Sequence, residues 1–361
     1  MPLTTRQAYT ICLLACRIPF FILLLAALVS CESRDSARYI MDNYLYRLSN
    51  SLQVERNPDA LEALPPLTPY PDRRDLQKSI PRININLLEF LRLSECELQR
   101  HIGAKNGALG RVMEATQQLA YDATFLRLAK TCLEQLPSNT LLAQTLQEAY
   151  QHKQEYLPYS VWNATVASKE FSYLFSLGTQ ALSFTEVKRQ SLQLQEALKQ
   201  LNQGYQQLLK TESADVFVNG VESHYQTIES SKYIGEIRLS LQIVTYTLQQ
   251  ADQMLEQRMD ERPLCVSQQK SSQFMIVDNV FHKYYIQQVQ TYFSTLHQQT
   301  SVLFSAIDAL LITLEMDNKT HLFWQSVYQS DDSEWARFTT AIKRHTQYWQ
   351  ILLEQCGQRP Q

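Results

Sequence analysis

Glycine is scarce in this 361-residue chain, with 8 occurrences, and none of them builds a GxGxxG, GxxxxGK[ST] or GxSxG element. Those elements use glycine to bring backbone amides up to a phosphate, or to expose a serine on a tight turn. Phosphate cradling and serine hydrolysis therefore have no support. CxxC is missing too, which argues against thioredoxin-like redox work and zinc ribbons. The histidines, His101, His152, His224, His282, His297, His321 and His345, form no HExxH or other close ligand pair, so neither metal nor cofactor is expected. Basic blocks are absent, and 33 Lys and Arg against 36 Asp and Glu leave a net charge of −3. Nucleic acid, which draws on clustered cations, is not an expected partner.

A run long enough to span a bilayer is also lacking. Residues 18–29 are apolar, roughly a dozen positions where a spanning helix needs about 20. With Arg6 and Arg17 before or beside that run and no acid in the first thirty residues, the segment reads as a secretory leader. Joining residues 8–15 to 18–30 across Arg17 gives the competing reading, an uncleaved anchor with a snorkelling arginine. Against it stands Leu28-Val29-Ser30-Cys31, which resembles the lipobox of bacterial lipoproteins. The thiol there receives diacylglycerol, and its small neighbour admits a peptidase. Cys31 is therefore expected as the acylated first residue of the mature chain, attached to the membrane without spanning it. Glu32 stands where an aspartate would mark inner-membrane retention, so the periplasmic face of the outer membrane is the expected location. Loss of Arg6 and Arg17 takes the net charge from −3 to −5.

Cys12 and Cys16 leave with the leader, and Cys96, Cys132, Cys265 and Cys356 remain besides Cys31. An even number in an oxidising compartment reads as two disulfides, with three pairings open. Pro58, Pro65, Pro66, Pro69, Pro71 and Pro81 crowd one stretch, which forbids regular helix and favours extended backbone. The expected organisation is a leader over 1–30, an anchored amphipathic helix over 31–56 with Ile40, Tyr44, Leu48 and Leu52 on one face, a proline-rich connector over 57–82, and a helical bundle over 83–361.

In the bundle, apolar residues recur at the three-and-four spacing of packed helices. One seam runs Val187, Ser191, Leu194, Leu198, Leu201, Tyr205, Leu208; another runs Ile234, Ile237, Leu241, Val244, Leu248, Ala251, Leu255. The fold class is all-α, an elongated multi-helix bundle with long antiparallel helices. Residues 272–316 contain no glycine or proline, and residues 320–355 make a natural antiparallel partner for them. That pairing would bring Cys265 to Cys356, and by elimination Cys96 to Cys132 across a hairpin turning near 101–110.

Several features invite chemistry and have plainer explanations. Asp331, Asp332 and Glu334 suggest paired carboxylates, yet they precede Trp335 at a helix start, where Asp and Ser cap free amides and negative charge suits the dipole. His345 occupies a seam position between Ile342 and Trp349, the place of a hydrogen-bonded core histidine. Phe323, Trp324 and Tyr328 are candidates for an exposed aromatic patch, able to line a pocket for a lipid or cell-wall fragment. Arg73 and Arg74 after PPLTPYP suggest a peptide-like ligand, or simply a packed tether with solvated charges.

The phrases LPPLTPYPDRRDLQ and LLEFLRLSECELQRHIGAKNGALGRVMEATQQLAYD, with Cys132 and the RPLC element ending at Cys265, resemble an uncharacterised family of gammaproteobacterial lipoproteins known only as a domain of unknown function. The resemblance implies anchoring, export and disulfides, and supplies no activity. A structural or interaction module of the cell envelope is expected rather than an enzyme, with the membrane and an envelope protein as partners.

Overall fold

A computed structural model describes residues 36–57, 61, 64–81, 93, 96–106, 113–211, 221–230 and 232–358. The expected leader and Cys31 lie outside the described residues. In chain order the elements are α1 (Ala37–Leu52), α2 (Arg73–Leu76), α3 (Glu97–Asn106), α4 (Ala115–Gln135), α5 (Leu141–Glu155), α6 (Leu157–Ala164), α7 (Lys169–Leu174), α8 (Phe184–Thr211), α9 (Val221–Glu229) and α10 (Tyr233–Glu261). A short hairpin, β1 (Cys265–Val266) with β2 (Gln269–Lys270), precedes α11 (Ser272–Val280). After it come a π-helical segment π1 (Phe281–Gln290), α12 (Thr291–Thr313), α13 (Asn318–Trp324), a second segment π2 (Gln325–Gln329) and α14 (Glu334–Gln355). The described chain is all-α apart from that hairpin.

Local chemistry starts and stops these helices. Ser36, Thr140, Ser168, Ser271, Asp317 and Ser333 each accept a hydrogen bond from a first-turn amide, supplying a partner that the helix itself lacks. At the other end of α14, Gly357 takes φ +71°, while its amide bonds Glu354 and that of Gln358 bonds Leu353 (3.0 and 2.9 Å). This is a Schellman closure, which needs a residue at ease in the left-handed region.

Every residue of the Val187 and Ile234 seams is buried. Each fully buried aliphatic contributes about 1.5–3 kcal/mol by leaving water, so the two stripes form the axis of the core. The pairing of the last long helices differs from expectation. α12 packs along α8 and α14 along α10, whereas residues 272–316 were expected to pair with 320–355. Periodicity identifies the face a helix buries and is silent on which equally apolar face meets it. The cysteines nevertheless join as Cys265–Cys356 (S–S 1.97 Å) and Cys96–Cys132 (2.02 Å). Gly235 marks a close approach, since a Cβ there would lie 1.9 Å from the Ser176 carbonyl oxygen.

The described part of the proline-rich connector is packed against the bundle. Extended backbone of this kind makes no internal hydrogen bonds, so its carbonyls need donors from elsewhere. Gln242 donates to the Pro65 carbonyl (2.6 Å), Arg238 to Thr68 (2.7 Å) and the Trp162 indole to Leu76 (2.7 Å), while the Asn163 amide bonds Lys78 in both directions (2.7 and 2.8 Å). Tyr70 stacks on Phe175 at 4.9 Å and donates its hydroxyl to the Val166 carbonyl at 2.8 Å. Arg73 and Arg74 stay exposed.

Candidate functional site

Among the polar contacts that hold the N-terminal part of the chain to the bundle, two are junctions that draw on α10 and α14 together. The first lies where α1 crosses α10, π1 and α14. His345 Nδ1 is 2.6 Å from Asp252 Oδ1, and its Nε2 is 2.9 Å from the Tyr44 hydroxyl and 3.0 Å from Trp349 Nε1. Trp349 Nε1 also lies 3.0 Å from the Tyr44 oxygen. An indole nitrogen only donates, so Trp349 gives its proton toward Tyr44 and His345. Tyr44 then has its own hydrogen free for Nε2. That makes Nε2 the acceptor and leaves the imidazole proton on Nδ1, donating to Asp252. The order is Trp349 to Tyr44 to His345 to Asp252, with a neutral ring.

Burial reinforces that protonation state. It pushes His345 below its ordinary value while the Asp252 contact opposes the shift. Burial also raises the Tyr44 hydroxyl far above its ordinary value and takes Tyr285, whose ring centroid is 4.9 Å from that of His345, up to about 12. Arg344 Nε stands 3.4 Å from the second Asp252 oxygen. An acid, an imidazole and a hydroxyl in this order have the form of an acid–base relay. Yet Asp252, His345 and Tyr44 are each 0 % exposed, and a general base must come within hydrogen-bond reach of substrate. The network therefore ties α1, α10 and α14 together. This is the hydrogen-bonded core histidine that its seam position implies.

The second junction is an ion pair under the connector. Arg238, fully buried on α10, grips Glu334 with two bonds of 2.8 and 2.6 Å, holds the Thr68 carbonyl, and stands 5.3 Å from the Phe323 ring centroid. Ser333 caps α14 (3.1 Å to the Ala336 amide), as expected of a serine at this helix start, and Glu334 in the first turn directs its carboxylate to Arg238. Asp332 lies 3.9 Å from Arg337.

The aromatic patch is corrected by the structure. Phe323 and Trp324 are buried and Tyr328 is half-buried. Phe323 meets Tyr70 and Phe175 edge-on, and the Trp324 indole donates to Asp308 at 2.9 Å. These side chains interdigitate because the connector, far away in sequence, covers Phe323 and the preceding helix α12 covers Trp324. Among the described residues no group of His, Cys, Asp and Glu is placed to hold a metal, and no helix is long and apolar enough to cross a membrane.

An open groove lies on the surface shared by α1 and π1. It holds about 440 Å³ and is lined by Tyr39, Ile40, Asn43, Phe184, Gln287, Gln288 and Thr291. That size is ordinary for a ligand cleft, and its lining is aromatic and amide. Residues 39 and 43 share one face of α1 with Tyr46. The wide winding of π1 places Tyr285 in the core and Gln287 and Gln288 at the groove, and π segments are frequent at functional sites. The composition of π1, FHKYYIQQVQ, carries no signal of its altered winding.

Set against known families, residues 41–360 match the one described as Protein of unknown function (DUF3080). Comparison with curated proteins found no match, and neither did comparison with solved structures.

Proposed function

The chain belongs to this family of proteins of unknown function, and from that premise we propose that it is an interaction module of the bacterial envelope, held by lipid on Cys31 at the periplasmic face of the outer membrane. The observation that carries the reading is the division of cysteines. Cys96 pairs with Cys132 and Cys265 with Cys356, two bonds suited to an oxidising compartment, and neither involves Cys31. The lipobox-like tetrapeptide ending at Cys31 gives that remaining thiol a use. Further support comes from α1. It begins at Ala37 and is tied into the bundle by Tyr44, so an anchor on Cys31 connects to the body with almost no intervening chain.

Palmitate labelling with membrane fractionation tests the anchor. The parent chain labels and fractionates with the outer membrane, whereas Cys31→Ser does not label. A parent chain that stays membrane-bound with an intact leader and no label overturns the lipoprotein reading in favour of an uncleaved anchor. The interaction role is tested by crosslinking in the envelope followed by capture, and failure to recover a reproducible envelope partner removes it.

A further inference from the structure

The exposed surface of α1 carries more than the groove. Tyr39, Asn43 and Tyr46 recur on one stripe of the helix, and Tyr39 and Tyr46 are 38 % and 47 % exposed. The Arg47 guanidinium lies 5.7 Å from the Tyr46 ring centroid and 5.3 Å from that of Tyr284 on π1. Lys283 adds its ammonium 5.9 Å from the same Tyr284 ring. Arg56 sits 5.5 Å from Tyr46 and also pairs with Asp42 at 2.7 Å. A chain of net charge −3 thus presents a strip where two exposed cations, Arg47 and Lys283, are braced on tyrosine faces. A cation over a ring keeps its charge and its donors.

The position of the strip selects its occupant. The chain enters the body at Ser36, which pairs with Ser183 beside the groove residue Phe184. Cys31 precedes Ser36 by five residues, and an extended chain covers at most about 3.6 Å per residue, so lipid on Cys31 keeps this entry within roughly 18 Å of its attachment point. We propose that the α1–π1 face rests on the phospholipid headgroup layer, with Arg47 and Lys283 meeting lipid phosphates and Tyr39 and Tyr46 at the polar edge of the bilayer. The uncharged groove beside Tyr39 receives a neighbouring headgroup. Tyrosine suits that boundary because one end of its ring is apolar and the other polar. The proposal rests on the lipid-anchor reading for its geometry and adds the orientation of the body.

Tryptophan quenching in vesicles tests it on the full chain. Tyr46→Trp places a reporter on the strip, and Leu141→Trp places one at an exposed site on α5. Each protein is reconstituted into phosphatidylethanolamine and phosphatidylglycerol vesicles with brominated acyl chains, and quenching is compared with the parent chain. Extra quenching is expected for Tyr46→Trp and not for Leu141→Trp. Adding Arg47→Gln and Lys283→Gln to Tyr46→Trp should reduce the equilibrium constant for the bound orientation by roughly thirtyfold at low salt, from about fivefold per cation near an anionic surface, and lower the quenching accordingly. Unquenched Tyr46→Trp emission, or equal quenching of both reporters, overturns the proposal. The mass of the same preparation separates the two readings. An acylated protein with an unquenched Tyr46→Trp reporter defeats the orientation alone. An unacylated protein that binds the vesicles and is quenched defeats the anchor and supports the face.

Discussion

The junction at His345 and the junction at Arg238 do the same job with different chemistry. Each fastens a segment from the first eighty residues to α10 and α14. At His345 the fastening is a directional chain of hydrogen bonds around a neutral ring, with the Trp349 indole shared between Tyr44 and His345. At Arg238 it is a bidentate ion pair that also supplies the donor for a connector carbonyl. A buried charge that loses its partner is costly, while a hydrogen-bond chain losing one link keeps most of its partners. The two junctions should therefore fail very differently.

The largest expected effect is at the ion pair. Arg238→Ala leaves Glu334 buried and the Thr68 carbonyl without its donor, and should cost about 3–5 kcal/mol in urea unfolding. Pairing Arg238→Met with Glu334→Leu should recover most of that loss. A cost under about 1 kcal/mol for Arg238→Ala would erase the contrast between the junctions. Next comes Asp252→Asn, which keeps the shape and weakens a charge-assisted bond to His345, for about 2 kcal/mol by the same measurement. Tyr44→Phe should cost only about 1 kcal/mol, because the Trp349 indole still faces His345 Nε2 at 3.0 Å.

The smallest effect is a pH slope. His345 titrates below its ordinary value in the fold, so the unfolded chain binds protons first as pH falls. Its contribution is intact above about pH 6.5, begins to fall there, and is fully lost once pH drops below the folded value. His101 and His297 shift in the same direction, so the informative quantity is a difference. Stability of the parent should decline more steeply below pH 6.5 than that of His345→Gln. Parallel slopes would show that the ring is not held neutral by its surroundings.

Much of the bundle was legible in the residues. The Val187 and Ile234 seams, the apolar face of α1 and the core position of His345 all follow from helical spacing, which is a local property. Less visible was the hairpin before α11. Its turn residues Ser267 and Gln268 both adopt positive φ (53° and 62°), without the Asn-Gly or Asp-Gly pair that announces such a turn. π1 left no mark either, because ten residues are too few to separate its winding from that of an α-helix. The aromatic reading of Phe323 and Trp324 failed for another reason. Spacing alone does not say that the connector and α12 cover them.

What the sequence determined by itself was the helical class, the buried stripe of each long helix, the small number of polar residues inside those stripes, and an expectation of two disulfides. Only the tertiary structure decided which stripes meet, that α12 lies on α8 and α14 on α10. It also made the connector part of the core and chose the partners of the inward-facing polar groups. The reason is range. Periodicity records what each turn of helix does with water within a few residues, whereas Tyr44 meets His345 across 301 positions. That meeting depends on how whole surfaces pack, and its hydrogen bonds exist only once they have.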